Sequence, residues 1–209
     1  MIISFIGMSG VGKSTWSSKL EKEKGFKRYC CDDLIEKGLS PELEKLGYSG
    51  INDVGRWMGQ PYDERYKKNS QKYLELEAEA LKNMLQEIKR LAKDKNIAVD
   101  TTGSVIYLPS DILDDLKRQT KIVYLEMLES VSVAEEMVKR YLYDQKPIIW
   151  GDVFKPFRGE KNMQTLKRCY PELLKYRKKL YEKLADIKID YYGQMNKNFT
   201  ADNLLKLIN

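Results

Sequence analysis

Apolar positions along this chain fall into short runs set between long amphipathic stretches. Ile2, Ile3, Phe5 and Ile6 form one run near the start, and Ile97-Ala98-Val99 forms another that is closed by Asp100. Phe26 to Cys31, Lys121 to Glu126 and Asp186 to Tyr191 are further short segments of the same kind. Runs of this length predict strands of a parallel sheet covered on both faces. Between them the period changes to that of helices, over Trp16 to Glu23, Asn69 to Lys95, Pro109 to Lys117, Leu166 to Leu184 and a last stretch that Thr200 caps and that ends near Ile208. Ser132 and Glu135 make a capping box for another helix running to about Tyr143. In the longest helix Leu74, Ala78, Leu81, Leu85, Ile88 and Ala92 recur at steps of four and three. That spacing predicts one buried stripe, with Glu75, Glu77, Glu79, Lys82, Lys89 and Arg90 on the outer face. Five strands alternating with helices predict a single α/β domain over residues 1–209, its parallel sheet layered by helices on both faces.

Two segments lack a period. Ser40 to Tyr66 contains Pro41, Gly47, Gly50, Gly55, Gly59 and Pro61 among Arg56, Trp57, Tyr62, Arg65 and Tyr66. It reads as irregular or short-helical, and residues 40–69 are expected to be a mobile segment covering a substrate. Residues 144–165 hold Lys146-Pro147-Ile148-Ile149-Trp150 and Lys155-Pro156-Phe157-Arg158-Gly159. A long cationic loop of this kind in a compact domain is expected to close as a lid.

Residues 7–15, Gly-Met-Ser-Gly-Val-Gly-Lys-Ser-Thr, sit between the first strand and the first helix. They match G-x-x-x-x-G-K-[ST], the loop whose amides cradle phosphates, in the strand-to-helix context that the motif requires. Glycines let successive N–H groups turn toward phosphate oxygens, and the helix that follows presents its positive end to the same anion. Gly7, Ser9, Gly10, Val11, Gly12, Lys13, Ser14 and Thr15 are therefore the candidate nucleotide-binding set. Lys13 is expected to reach the β- and γ-phosphates and Ser14 to ligate Mg²⁺. The plainer reading is a glycine-rich turn. Two strand ends carry acids, Asp32-Asp33 after the second and Asp100 after the third, at the sheet edge where open α/β folds bind ligands. Asp32 and Asp100 are candidates to hold a Mg²⁺-bound water; each also suits a helix cap or turn. Gly103, in Thr101-Thr102-Gly103-Ser104, permits close approach of a ligand, or simply a turn.

Composition narrows the chemistry. Of 209 residues 42% are hydrophobic and 33% charged, and the net charge of +6 suits an anionic ligand. No basic block with interleaved aromatics suggests nucleic acid. No run approaches membrane-spanning length, and the first apolar run reads as a core strand rather than a signal peptide. Cys30, Cys31 and Cys169 show neither metal spacing nor a good disulfide pair, which points to reduced thiols in a cytoplasm. There is no histidine, so a general base must be a carboxylate or water.

Taken together, the loop, the acid pair and the later motifs resemble the shikimate kinase family of the nucleoside-monophosphate-kinase-like P-loop proteins. Gly7 to Thr15 is close to that family's loop, and Val123-Tyr124-Leu125-Glu126 to its fourth strand. The resemblance implies a sheet order of 2-3-1-4-5. It places Asp33 on the family's aspartate that contacts the acceptor hydroxyl and serves as candidate base. Lys146-Pro147-Ile148-Ile149 resembles its Arg-Pro-Leu-Leu lid motif, and Tyr176-Arg177-Lys178-Lys179-Leu180-Tyr181 its Arg-x-Pro-Leu-Tyr segment. Arg177 would then be a substrate-carboxylate arginine, with Thr102 and Gly103 in the substrate loop. The chain departs from the family in three places. The first aspartate of Asp-x-Asp falls on Cys31, with Asp32 one step away. The Gly-Gly-Gly loop reads Thr101-Thr102-Gly103. The second substrate arginine falls on Leu74, or on Arg65 after a register slip.

The expected molecule is an ATP- and Mg²⁺-dependent small-molecule kinase, monomeric or weakly dimeric. Lys13, Lys146 and Arg140 would neutralise charge on the transferred group, and Asp33 would orient the acceptor hydroxyl. Two other readings stay open: a nucleoside or nucleotide kinase in which Arg56, Arg65 and Arg177 grip a phosphate, and a nucleotide-binding regulatory module with little turnover.

Overall fold

The computed structural model describes residues 1–91, 95–127 and 131–208, and of residues 131, 132, 134 and 195 the backbone alone. In chain order it places β1 (Ile2–Ile6), α1 (Lys13–Lys24), β2 (Lys27–Cys30), α2 (Cys31–Glu44), α3 (Ile51–Met58), α4 (Tyr66–Leu91) and β3 (Ile97–Asp100). There follow α5 (Ser110–Gln119), β4 (Lys121–Leu125), α6 (Val131–Tyr143), α7 (Asn162–Leu184), β5 (Ile187–Ile189), α8 (Tyr191–Met195) and α9 (Ala201–Ile208). The strands form one parallel sheet in the order β2-β3-β1-β4-β5, the order that the resemblance implied.

Alternation along the central strands feeds two cores. Ile6, Ile97, Val99, Ile122 and Tyr124 point to the layer built by α4, α5 and α7. Ile3, Phe5, Ala98, Val123 and Leu125 point to the layer built by α1 and α9. Phe5 and Cys30 both lie level with Asp100, so β1, β2 and β3 end at one height. Their following loops therefore open onto the same edge, where parallel sheets bind ligands.

Residues 40–66 are short-helical in part, as one form of the expectation had it: α2 runs on through Pro41 to Glu44, and α3 is a separate short helix. The structure revises two expectations about α4. The buried face of α4 is turned from the expected stripe. Tyr73, Glu77, Leu81, Met84, Leu85 and Ile88 are buried, whereas Leu74 and Ala78 are half-buried. Glu77, expected outside, is 1% exposed, because α2 and the turn after β3 cover the first half of α4 that periodicity alone leaves open to water. Ala92 and the Ser132 side chain of the capping box lie outside the described residues.

α2, α3, the start of α4 and Ile149 share a third apolar cluster. α6, α7, Ile148 and Trp150 share a fourth. Residues 145–150 run between the two. At Gly55 of α3 an added Cβ would stand 2.1 Å from the Gln145 carbonyl oxygen, so the two backbones touch where no side chain fits. The Tyr66 hydroxyl fastens the same stretch, donating to the Ile148 carbonyl at 3.0 Å and accepting from the Trp150 amide at 2.8 Å.

Candidate active site

The turn between β1 and α1 is a cradle. Gly7, Gly10 and Gly12 take φ of 140°, 82° and 103°, in the region that favours glycine. A Cβ on Gly7 would lie 2.6 Å from the Leu125 carbonyl oxygen, so the loop's first residue has no room for a side chain. Lys13, the first residue of α1, is buried and arches back over the loop, donating to the Gly7 and Met8 carbonyls at 3.0 Å each. Burial pulls its pKa down, and the carboxylates of Asp100 and Asp32 work against that.

A cavity of about 210 Å³ opens on this loop. Ser9, Gly10, Gly12, Lys13, Ser14 and Thr15 form one wall; Asp32, Ile51, Tyr73, Gly103, Arg177 and the stretch Lys146 to Ile148 form the others. A smaller hollow beside it, lined by Arg140, Lys146, Ser9 and Gly10, brings the α6 arginine to the loop. The Arg140 guanidinium lies 3.3 Å from where a Gly10 Cβ would stand. The loop, Asp32, Arg140, Lys146 and Arg177, read separately from the sequence, thus meet in one place.

Asp32 and Asp33 part company. Both lie in the first turn of α2, but consecutive residues of a helix point about 100° apart. Asp32 faces the cavity, and Asp33 is exposed and does not line it. The acceptor contact expected of Asp33 thus falls on a side chain that lies off the cavity wall, while its neighbour Asp32 lies on it. Burial raises the Asp32 carboxyl to about 6, with help from Asp100 and Asp33 and against the pull of Lys13.

Asp100 is 3% exposed and bound to Arg28 of β2 at 2.9 Å and to the Ser17 hydroxyl at 3.4 Å. The Arg28 Nε also donates to Ser17 at 2.9 Å. Arg65 does not reach the cavity: it is exposed, lines a surface depression with Tyr62, Asp63 and Glu64, and donates to the Arg56 carbonyl. Thr102 is buried behind the cavity wall, its hydroxyl given to Glu77.

Arg177 crosses beneath the cavity, 2% exposed. Its Nε donates to the Tyr107 hydroxyl at 3.3 Å, Nη1 to the Gly103 carbonyl at 3.2 Å and Nη2 to the Ile149 carbonyl at 2.7 Å. No carboxylate pairs with it among the described residues. A buried guanidinium held by neutral oxygens and, through Nη1, by the Met8 sulfur at 3.6 Å favours an anion in the space beside it. Its fork is already largely engaged, so the reach left to a ligand is narrower than the bidentate grip expected of a free arginine.

Sequence reading missed Tyr73, Glu77, Tyr107 and Arg28. Tyr73 and Glu77 are one helical turn apart, as are Glu77 and Leu81, so a polar residue on the stripe's own spacing was the available signal.

The cradle and its cations fit a nucleotide's phosphates. Among the described residues no group of three or more His, Cys, Asp or Glu stands together for a metal. Ser14 and Asp32 offer hard oxygen donors of the kind Mg²⁺ takes when phosphates and waters complete its shell. None of the helices among the described residues is long and apolar enough to cross a membrane.

No protein-family model matches the chain, and no curated protein matches it. Solved structures do. A shikimate kinase from Acinetobacter baumannii, in complex with shikimate, superposes with a TM-score of 0.61 at 20% identity over 99% of this chain and 92% of that one. A shikimate kinase from Bacteroides thetaiotaomicron gives 0.56 at 17% identity, and one from Aquifex aeolicus 0.54 at 19%, each over 99% of this chain and 94% of that one. Sheet order, phosphate loop and superposition agree: this chain has the P-loop kinase fold of the shikimate kinases.

Proposed function

We propose that the chain is an ATP-dependent kinase that transfers the γ-phosphoryl group to a hydroxyl of a small, anionic acceptor. One observation carries the reading. A single cavity joins the phosphate loop, with Lys13 and Ser14, to a carboxylate and a buried guanidinium on its other walls. When bound, ATP with Mg²⁺ supplies the phosphoryl group and the divalent charge that offsets its oxygens.

The chain's own groups do the rest. Loop amides and Lys13 hold the phosphates, and Arg140 and Lys146 approach the same loop from the lid side. Ser14 is the direct metal donor. Asp32 is the one carboxylate among the described residues that lines the cavity, so both the metal-bound water and the acceptor hydroxyl fall to it. Asp100 is held by Arg28 and supports Lys13 electrostatically rather than binding metal. A carboxyl that titrates near 6 is ionised at neutral pH yet basic enough to take a hydroxyl proton. Arg177 favours the anionic part of the acceptor. Catalysis is then mainly positioning and electrostatics.

The test is a panel of acceptors with labelled ATP: hydroxy acids including shikimate, sugars, nucleosides and nucleotides. The wild type should phosphorylate at least one, and Lys13→Ala should lose that transfer. Tight ATP binding with no transfer to any of them would favour the regulatory module. Asp32→Asn should lower turnover roughly 10²-fold or more while Asp33→Asn changes it little. The opposite ranking would return the role to Asp33.

A further inference from the structure

Glu77 is a buried carboxyl that the proposed mechanism leaves unused. Its carboxyl is 1% exposed and makes no ion pair among the described residues. Its two oxygens meet two hydroxyls of the turn after β3, those of Thr102 and Ser104, the second at 2.5 Å. Those hydroxyls lie 3.0 Å apart, and the Ser104 amide donates to the Thr102 oxygen at 3.0 Å. Between them sits Gly103, whose carbonyl accepts from Arg177 and from the Tyr181 hydroxyl. The turn is thus held from one side by a carboxyl, and from the other it holds the cavity's arginine.

We propose that Glu77 is a positioning residue for Arg177: by clasping the hydroxyls on both sides of Gly103 it sets the carbonyl on which the guanidinium rests. The inference rests on the kinase reading only in taking Arg177 as part of the acceptor's wall.

Both protonation states of Glu77 satisfy the cluster, in different ways. The carboxylate takes one proton from each hydroxyl, which leaves the 3.0 Å contact between the two hydroxyl oxygens without a hydrogen. The carboxylic acid closes a ring: acid to one hydroxyl, that hydroxyl to the other, and the second hydroxyl back to the acid's carbonyl oxygen. Burial moves the carboxyl up to about 7, the two hydroxyls pull it down, and Asp32 pushes it up. The ionisable groups facing it are Asp32 and Cys31 from α2, Arg177 and Tyr181 from α7, and Tyr73 on its own helix. A glutamine can keep both contacts, accepting from one hydroxyl and donating to the other; a leucine keeps neither.

The experiment compares wild type, Glu77→Gln, Glu77→Leu and Ser104→Ala. The first readout is the Arg177 Nε–H resonance, followed by NMR for hydrogen exchange and needing no ligand. Glu77→Gln should leave it in place, and Glu77→Leu should speed its exchange about tenfold, the size of coupling expected within one hydrogen-bond network. The second readout uses whichever panel compound the wild type phosphorylates fastest. In Glu77→Leu the KM for that acceptor should rise about tenfold while the KM for ATP stays within about twofold. Unchanged Arg177 Nε–H exchange in folded Glu77→Leu would overturn the proposal, as would an equal rise in both KM values. If Glu77→Leu does not fold, Ser104→Ala decides: faster Arg177 exchange supports the clasp, and unchanged exchange refutes it. Should no panel compound be phosphorylated, the kinase reading fails while the exchange measurement still settles the position of Arg177.

Discussion

The two walls of the cavity are built by different means. The wall that faces the phosphates comes from one unbroken stretch, residues 7–15, whose glycines, lysine and helix start act through backbone amides and a single arching side chain. The opposite wall is assembled from six places: Asp32, Ile51, Tyr73, Gly103, residues 146–148 and Arg177. A contiguous wall depends on local conformation and survives as a motif. A composite wall depends on how helices pack, and each of its members looks ordinary alone.

Four experiments sharpen that contrast. The largest effect belongs to the contiguous wall. Lys13→Ala should cut phosphoryl transfer by roughly 10²–10³ or more with little loss of stability, since it removes charge aimed at the transferred group. Kinetics paired with thermal melting would check it; a large drop in melting temperature would mean that Lys13 is also structural. Next comes the seam between α3 and residues 145–150. Gly55→Ala forces a methyl group against the Gln145 backbone and should destabilise the fold by about 3 kcal/mol, measured by denaturant titration. A neutral result would show that the composite wall yields more easily than its packing indicates.

Arg28→Ala leaves Asp100 buried with only Ser17, and should lower stability by about 2–3 kcal/mol. Arg28→Ala with Asp100→Asn should recover much of the loss, which separates a structural pair from a metal ligand. The smallest effect is a pH dependence. Glu77 is raised from 4.5 to about 7 in the fold, so the native state holds its proton more tightly than the unfolded chain. The stability that this contributes is fully present below pH 4.5 and is lost as pH rises through 7. The decline is at most roughly 3 kcal/mol over that window. Asp32, raised to about 6, adds to the slope at its lower end. Unfolding free energies measured at several pH values should fall less steeply in Glu77→Gln; identical slopes would mean that Glu77 does not carry the effect.

What the sequence discloses follows the same divide. The apolar runs 97–99 and 2–6 gave strands β3 and β1 almost to the residue, because a strand covered on both faces has no reason to alternate. The loop was legible for the same local reason. The α4 face was misjudged because the period of that helix admits two neighbouring stripes, and only the packing of α2 and of the turn at 101–104 selects the one through Tyr73 and Glu77. Arg65 lies off the cavity for a related cause: it belongs to a turn that faces solvent, a matter of where α3 and α4 meet rather than of residue type.

Asp32 and Asp33 are the same chemical group one position apart, so which of them serves the cavity is a question of helical phase and nothing else. Taking one residue out at the start of α2 would turn the helix by about 100° per position, bringing Asp33 into the place of Asp32 and Asp32 into that of Cys31, without altering the chain's acid content. Residue identity at a fixed position misses such a shift; distance from the end of the strand keeps it in view.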